Sequence, residues 1–379
     1  MFNRRPRAGP LPDDPSMNVL LTCAGRRCHT IDAFKNAMRN GGRVFACDSS
    51  PDAPALQEAD EAFVVPRVEE AGYIEALLRI CQEHRVGLVI PAFEIELPML
   101  ASHRARFSAI GTLPLVSSKT VIDTCYDKLE SARFLTGCGL PVPRTFDTLD
   151  GTRDALARGD LTFPLVVKPR WGVSSIGTEF PEDEEELELA YRLVKKRLAR
   201  TFLAEISATD PEHCILIQEK LSGAEYGLDV VNDLDGRHVC TFAKRKLRMW
   251  AGQTDRAVTV QNDSLEQLGR RIGEKLGHVG ILDCDVFVTK GGCHVIDMNP
   301  RFGGGYPFSH IAGANLPAAL MAWAESEVAD PEWLTIEPDV LISRADLFLV
   351  MERDGQRKQP PQTTPPVNSE PLSTISKQA

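Results

Sequence analysis

Between residues 17 and 115, short apolar runs alternate with helix-length segments, and this alternation restricts the possible folds more than any other feature. "NVLLTCAG" is a run of buried-strand type that closes in a glycine turn, and residues 29–39 follow it with helical patterning. "RVFACDSS" is the next strand, after which Pro51 and Pro54 interrupt the chain. "EAFVVPRV", a helix over 70–84 and the strand "VGLVIPAFE" continue the series. Continuous apolar strands separated by helices predict a parallel, doubly wound sheet, because such strands are covered on both faces.

Beyond residue 115 the pattern changes. Ser117 or Ser118 is suited to cap a helix running to Gly137–Gly139, and Pro141 and Pro143 keep it from resuming. "FPLVVKPR" predicts a short strand, followed by the loop "WGVSSIGT". Residues 181–200 are acidic first and basic last, which complements a helix dipole and marks a solvated helix. "CILIQEKLSGAEYGLDVVND" and "HVCTFAKRKLRMW" predict antiparallel strands joined by a turn at Asp233–Gly236. A helix over 263–277, a hairpin "ILDCDVFVTKGGCHVIDMNP" turning at Gly291–Gly292, and an apolar helix near 314–326 complete the reading.

The chain of 379 residues is long enough for two or three domains. A formal net charge of −10 argues against a broad nucleic-acid footprint. The ten cysteines form no CxxC pair and no Cys/His cluster at zinc spacing, so they read as free thiols of a reducing, cytoplasmic protein. No apolar run approaches the roughly 20 residues of a membrane helix. The two ends, 1–16 and 351–379, are rich in Pro and polar residues and are expected to be disordered tails.

Several short stretches carry chemistry. In "HVIDMNPRFGGG" (294–305), Asp297, Asn299 and Arg301 alternate and share one face if the extended run continues through Pro300. On these residues alone the stretch reads equally as oxygen ligands for a hard cation beside an anion-binding Arg, or as a polar strand end. "VVKPRWGVSSIGT" places Lys168 at the end of an apolar strand before a loop whose Ser174 and Ser175, with exposed backbone N–H groups, suit phosphate. It is not the Walker pattern. Lys128, Gln218, Glu219 and Glu225 are further candidates with ordinary surface readings, and the hairpin turn brings Asp285 toward Asp297. Asp285, Asp297 and Asn299 would then make a protein half-shell for Mg²⁺. "KRKLRMW" puts Lys244, Lys246 and Arg248 on one face of a strand.

In this order, Lys128, "VVKP", "RWGVSSIGT", "QEKLSGAE", "LDCDVFV" and "VIDMNPRFGGG" resemble the ATP-grasp superfamily, in particular its carbamoyl-phosphate-synthase-like carboxylate–amine ligases. The resemblance extends over about 17–330. It implies a parallel-sheet pre-ATP-grasp domain at 17–115, a small ATP-grasp lobe with the phosphate loop at 116–220, and a large α+β lobe with the metal site at 221–350. It implies that Lys128, Lys168, Ser174, Ser175 and Lys246 meet the ATP phosphates. Gln218, Glu219 and Leu221 would line the adenine, Glu225 would take the ribose, and Asp285, Asp297 and Asn299 would hold Mg²⁺, with Mn²⁺ as an alternative. Arg301 and Lys168 would act on the transferring phosphoryl group. Two positions depart from the family pattern: Asp297 stands where Glu is usual, and serines replace glycine in the phosphate loop.

The implied reaction joins a small-molecule carboxylate to an amine through an acyl phosphate, giving ADP and phosphate, with no nucleic-acid or membrane partner and a homodimer among the expected assemblies. Arg26 and Arg27 suit a substrate carboxylate and Glu94 an ammonium, pointing to an amino acid, and Gly304 permits close approach to the reaction centre. Carbamoyl phosphate formation fits less well, since the chain has one nucleotide unit and no amidotransferase segment. Two readings of other classes compete. An NAD(P)-dependent oxidoreductase would use "TCAGRR" and Asp48, although that turn has one glycine where the fingerprint needs three. A non-catalytic ATP-binding module would not need the metal ligands.

Overall fold

The structure, a computed structural model, describes residues 17–39, 41–172 and 177–345. Its first layer is a five-stranded parallel sheet in the order Glu61–Val64, Val44–Asp48, Asn18–Thr22, Val86–Pro91, Leu113–Pro114. Helices Cys28–Ala37, Tyr73–Glu83 and Leu97–Ala109 cover it, as buried parallel strands require. Strand order reverses on either side of Asn18–Thr22, so the carboxyl ends of the central strands open a crevice there.

A three-stranded antiparallel sheet, Thr145–Phe146, Ile215–Glu219 and Leu165–Pro169, forms a second layer. The third is a six-stranded antiparallel sheet in the order Gly292–Asn299, Gly280–Thr289, Ala224–Asn232, His238–Trp250, Gln253–Val260, Leu341–Ser343. Leu265, Leu268, Ile272 and Leu276, at helical spacing, pack helix Asp263–Leu276 onto Leu228, Val230 and Ala243 of that sheet. One apolar core runs from the parallel sheet (Val19, Leu21, Leu88) through Phe302, Tyr306 and Leu316 to Val231, Phe242 and Ile281 of the large sheet. The segment after Asn299 is therefore clamped between the two layers.

The structure departs from the sequence reading in instructive places. The helix expected from Ser117 or Ser118 to Gly137–Gly139 is two helices, Lys119–Tyr126 and Lys128–Gly137. Ser118 caps the first. Asp127 caps the second, accepting from Leu129 N at 2.9 Å while holding Arg170 through 2.6 and 2.8 Å contacts. Ile215–Glu219 pairs in the small sheet, not with Ala224–Asn232, because Leu221–Gly223 carries the chain from one layer to the other. Strand Gln253–Val260 and helices Leu97–Ala109 and Leu149–Arg158 were not anticipated.

Arg248 also leaves the face it was expected to share with Lys244 and Lys246. A bulge between Lys246 and Arg248 breaks the two-residue period, and Arg248 is exposed against Asp255 at 3.4 Å. Among the described residues, no helix is long and apolar enough to cross a membrane.

Two glycines set how closely helix Asp263–Leu276 approaches its sheet. A Cβ at Gly269 would collide with the Thr241 side chain, and one at Gly273 would lie 2.7 Å from Asn232 Oδ1. Helix propensity alone favours Ala over Gly by roughly 1 kcal/mol, whereas overpacking a tight interface costs about 1–3 kcal/mol. Gly269→Ala is therefore expected to lower the urea midpoint of unfolding; a raised midpoint would show that the interface yields freely.

Candidate active site

The hairpin Gly280–Thr289/Gly292–Asn299 pairs Asp285 directly with Asp297 and Asp283 with Asn299. Directly opposed residues place their side chains on one face, and all four line a cavity of about 340 Å³. This puts three carboxylates, Asp283, Asp285 and Asp297, side by side on one face of the hairpin. Each is compensated by a cation from a different element.

Lys128, carried into place by the break at Asp127, donates to Asp297 Oδ1 and to Gly172 O, both at 2.8 Å. Lys246 bridges Asp285 at 2.6 Å and Glu225 at 2.7 Å. Arg301 pairs with Asp283 at 3.0 Å and with Glu94, and all but a small part of its side chain is buried. Below them Lys244, 1% exposed, donates to Asp229 at 2.6 Å and lies 3.4 Å from Ser309 Oγ. Gly227, opposite Lys244 on the next strand, leaves room for the lysine stems: an added Cβ would sit 3.2 Å from Lys244 Cε.

The three glycines after Arg301 now have physical reasons. A Cβ at Gly303 would overlap the Asp283 carboxylate, and one at Gly305 would come 2.8 Å from Lys244 Cε. Gly304 has open space around it and lines the cavity. The loop thus lies directly on the charged floor of the site.

Burial, and then Lys128, push the Lys168 ammonium down to about 8, with Asp297 and Asp285 acting in the opposite direction. These causes place Lys168 within electrostatic reach of the cluster although it makes no ion pair among the described residues. Burial opposes ionisation of Asp297, yet Lys128 and Lys168 beside it hold its carboxyl below the usual range. Burial likewise works against the Lys246 ammonium, and Asp285 and Glu225 outweigh it and raise its affinity for the proton.

Of the residues singled out from sequence, Lys246, Asp285, Asp297, Asn299, Arg301, Arg26, Arg27, Glu94 and Gly304 line this one cavity. Lys128 and Glu225 reach it through their ion pairs. Glu94, read as a partner for a substrate ammonium, is instead committed to Arg301. Gln218, Glu219 and Leu221 are not among its lining residues. Gln218 donates to Thr145 Oγ1 at 2.7 Å, and Glu219 accepts from Arg144 N at 2.9 Å. Ser174 and Ser175 lie outside the described residues.

Sequence reasoning missed Asp283, although its alternation with Asp285 in "LDCDVF" signalled a shared face. It also missed His29 and Arg344, which line the cavity with no local motif to mark them. Asp48, the acid of the dinucleotide reading, spends both oxygens on Gly25 N (2.8 Å) and Ser50 N (2.9 Å), closing the first turn of the parallel sheet.

Comparison with known proteins agrees with this architecture. Residues 19–115 match the family described as PylC-like, N-terminal domain, and residues 212–344 match the family described as ATP-grasp in the biosynthetic pathway with Ter operon. The chain belongs to the ATP-grasp superfamily. It is 25% identical over 274 residues to the formate-dependent phosphoribosylglycinamide formyltransferase of Synechococcus sp. strain RCC307, covering 70% of this chain and 65% of that protein. It is 24% identical over 278 residues to the carbamoyl phosphate synthase large chain of Methanoculleus marisnigri, covering 69% of this chain and 24% of that one. The match thus spans just under two thirds of the first relative's length and about a quarter of the second's. In fold it is similar to the biotin carboxylase domain of Hydrogenobacter thermophilus 2-oxoglutarate carboxylase, solved with MgADP, ADP and bicarbonate. That likeness has a TM-score of 0.65 at 16% identity and covers 83% of this chain and 71% of that one.

The depressed Lys168 gives a signed pH dependence. A lysine whose folded value lies near 8 and whose unfolded value lies near 10.5 binds more proton when unfolded, so stability should rise from pH 8 toward 10.5. Lys168→Met removes this term. Urea titrations at several pH values should show wild type gaining on the variant across that window; a constant difference would mean Lys168 keeps an ordinary proton affinity.

Proposed function

We propose that the chain is an ATP-dependent carboxylate–amine ligase that forms an amide through an acyl phosphate and releases ADP and phosphate. The observation that carries this reading is the pairing of Asp285 and Asp297 across the hairpin, each held by a lysine, with Lys168 alongside. Such a set is charge-compensated without a ligand. It would accept a polyphosphate if the lysines turned from carboxylate to phosphate, leaving Asp285, Asp297 and Asn299 free to hold a divalent cation.

The donor chemistry fits Mg²⁺. Among the described residues there is no group of three or more His, Cys, Asp or Glu side chains arranged to enclose a metal. Two carboxylates and the Asn299 amide oxygen supply a hard, open half-shell of the kind Mg²⁺ completes with phosphate oxygens and water. Asp285, Asp297 and Asn299 would hold it, with Mn²⁺ as a substitute of the same chemistry. When bound, the ion neutralises charge on the transferring phosphoryl group.

The chain's own groups do the rest. Lys128, Lys168 and Lys246 hold phosphate oxygens, and Glu225, released from Lys246, takes the ribose hydroxyls. Gln218, Glu219 and Leu221 lie where the two antiparallel sheets meet, in keeping with an adenine slot. A substrate carboxylate oxygen, oriented by Arg27, attacks the γ-phosphorus, and the bond to the β,γ-bridging oxygen breaks to leave ADP. An amine then attacks the acyl carbon and expels inorganic phosphate, so no nucleophilic side chain is needed. Arg301, fixed by Asp283 and Glu94, presents a buried positive charge to the phosphoryl group. The arginines beside the cavity favour an amino acid as the carboxylate substrate. This reading also assigns residues 17–115 to substrate binding, 116–220 to the phosphate-covering lobe and 221–350 to the catalytic lobe.

ADP release from Mg-ATP should be screened against amino acids singly and in pairs, with product mass read as the sum of two substrates minus water. Lys168→Ala and Asp297→Ala are each expected to lower turnover by about a hundredfold or more, as the loss of a group acting directly on a developing charge does, with folding retained by circular dichroism. Unchanged ADP release in both variants would overturn the assignment.

A further inference from the structure

A second cavity, about 700 Å³, opens at the carboxyl ends of the parallel strands. It shares Arg26, Arg27 and Phe93 with the first cavity, so the two are contiguous. Its far wall comes from another layer: Arg200 and Phe202 follow helix Glu184–Leu198, and Phe202 meets Phe93 edge to face, with ring centroids 6.1 Å apart at 73°. Phe202 remains 49% exposed, leaving an apolar ring surface at the mouth of the chamber.

The charges on this wall do not balance. Arg26, Arg67 and Arg200 form no side-chain hydrogen bond or ion pair among the described residues, and the one unengaged acid is Glu69. Asp48 is consumed by Gly25 N and Ser50 N, and the Tyr73 hydroxyl is committed to the buried Glu96 at 2.7 Å. The first cavity is arranged in the opposite way, its carboxylates each tied to a cation. In a chain of net charge −10, three unpaired guanidinium groups around a half-exposed aromatic pair constitute a local reversal of sign. Guanidinium forks match carboxylate and phosphate oxygens, and the exposed ring edges and faces suit a flat or apolar group.

We propose that this chamber holds the second substrate of the ligation, and that this substrate is an organic anion with a flat or apolar body. Its anionic group lies among Arg26, Arg67 and Arg200, its body against Phe93 and Phe202, and its reacting end extends past Arg27 into the first cavity. The proposal rests on the ligase reading for what happens at that end, but the binding chemistry stands on the chamber alone.

Isothermal titration separates the two. Protein saturated with Mg-ADP is titrated with phenyl phosphate, benzoate and benzylamine. The two anions are expected to bind and benzylamine is not; tighter binding of phenyl phosphate assigns a phosphate group, and tighter binding of benzoate a carboxylate. Arg67→Ala/Arg200→Ala should weaken the preferred anion at least tenfold with Mg-ADP affinity unchanged, and the single variant Arg200→Glu should shift preference toward benzylamine. Equal anion binding in the double variant, or no anion binding by wild type, overturns the chamber assignment while leaving the ligase reading intact. Failure of wild type to bind Mg-ADP at all overturns the ligase reading on which the second-substrate role depends.

Discussion

Two carboxylates held side by side on a β-hairpin repel each other unless something positive lies between or above them. Asp285 and Asp297 are such a pair, fixed by strand register, and the organisation around them follows from that constraint. Lys128 arrives from the start of a helix, Lys246 from strand His238–Trp250 of the same sheet, and Lys168 from the small sheet. Three different elements thus place a cation at one point. Isolated surface ion pairs contribute little to stability, whereas these are partly buried, their lysines more deeply than their carboxylates. On the proposed ligase reading, the same partners that neutralise the carboxylates in the free protein become the groups that hold the nucleotide, so ligand binding redistributes existing charges in place of creating new ones.

Backbone geometry makes this possible at close quarters. Gly227 leaves space for two lysine stems on a crowded sheet face, and Gly303 and Gly305 let a loop rest on Asp283 and Lys244 without a Cβ between. Phe302 and Tyr306, on either side of those glycines, are buried in the core that joins the parallel and antiparallel sheets. The loop therefore cannot lift without exposing large aromatic surface, worth about 25 cal/mol for each square ångström. Hydrophobic burial holds the loop down, and the absence of side chains lets it come close enough for Arg301 to be locked between Asp283 and Glu94.

How much of this was readable in the sequence depends on the range of the interaction. The parallel sheet, the hairpin 280–299 and the opposition of Asp285 to Asp297 follow from local periodicity and a Gly-Gly turn, and the structure has all of them. Lys128 stood out only through motif order; its local signal is that of any helix lysine. It reaches Asp297 from the helix break at Asp127, whose capping carboxylate is also gripped by Arg170, 43 residues away. Glu94 was given a substrate ammonium as its partner, because its pairing with Arg301, 207 residues distant, is invisible from either local sequence. Arg248 was lost to a bulge, which shifts the alternation by one residue and has no marker in "KRKLRMW".

The contrast between the two cavities bears on how a ligase protects its intermediate. An acyl phosphate survives only if water is kept from it, so the amine must already be in place when the phosphoryl group moves. The carboxylates of the first cavity are each tied to a cation, so on the proposed reading that cavity becomes receptive when its lysines turn from carboxylate to the nucleotide phosphates. In the adjoining chamber Arg26, Arg67 and Arg200 have no side-chain partner among the described residues, so on the same proposal it is receptive from the start. That asymmetry favours an order in which the second substrate is captured early by long-range attraction, strongest where field lines are focused in a cleft of low dielectric, and waits beside the site until the first cavity is switched on by its nucleotide.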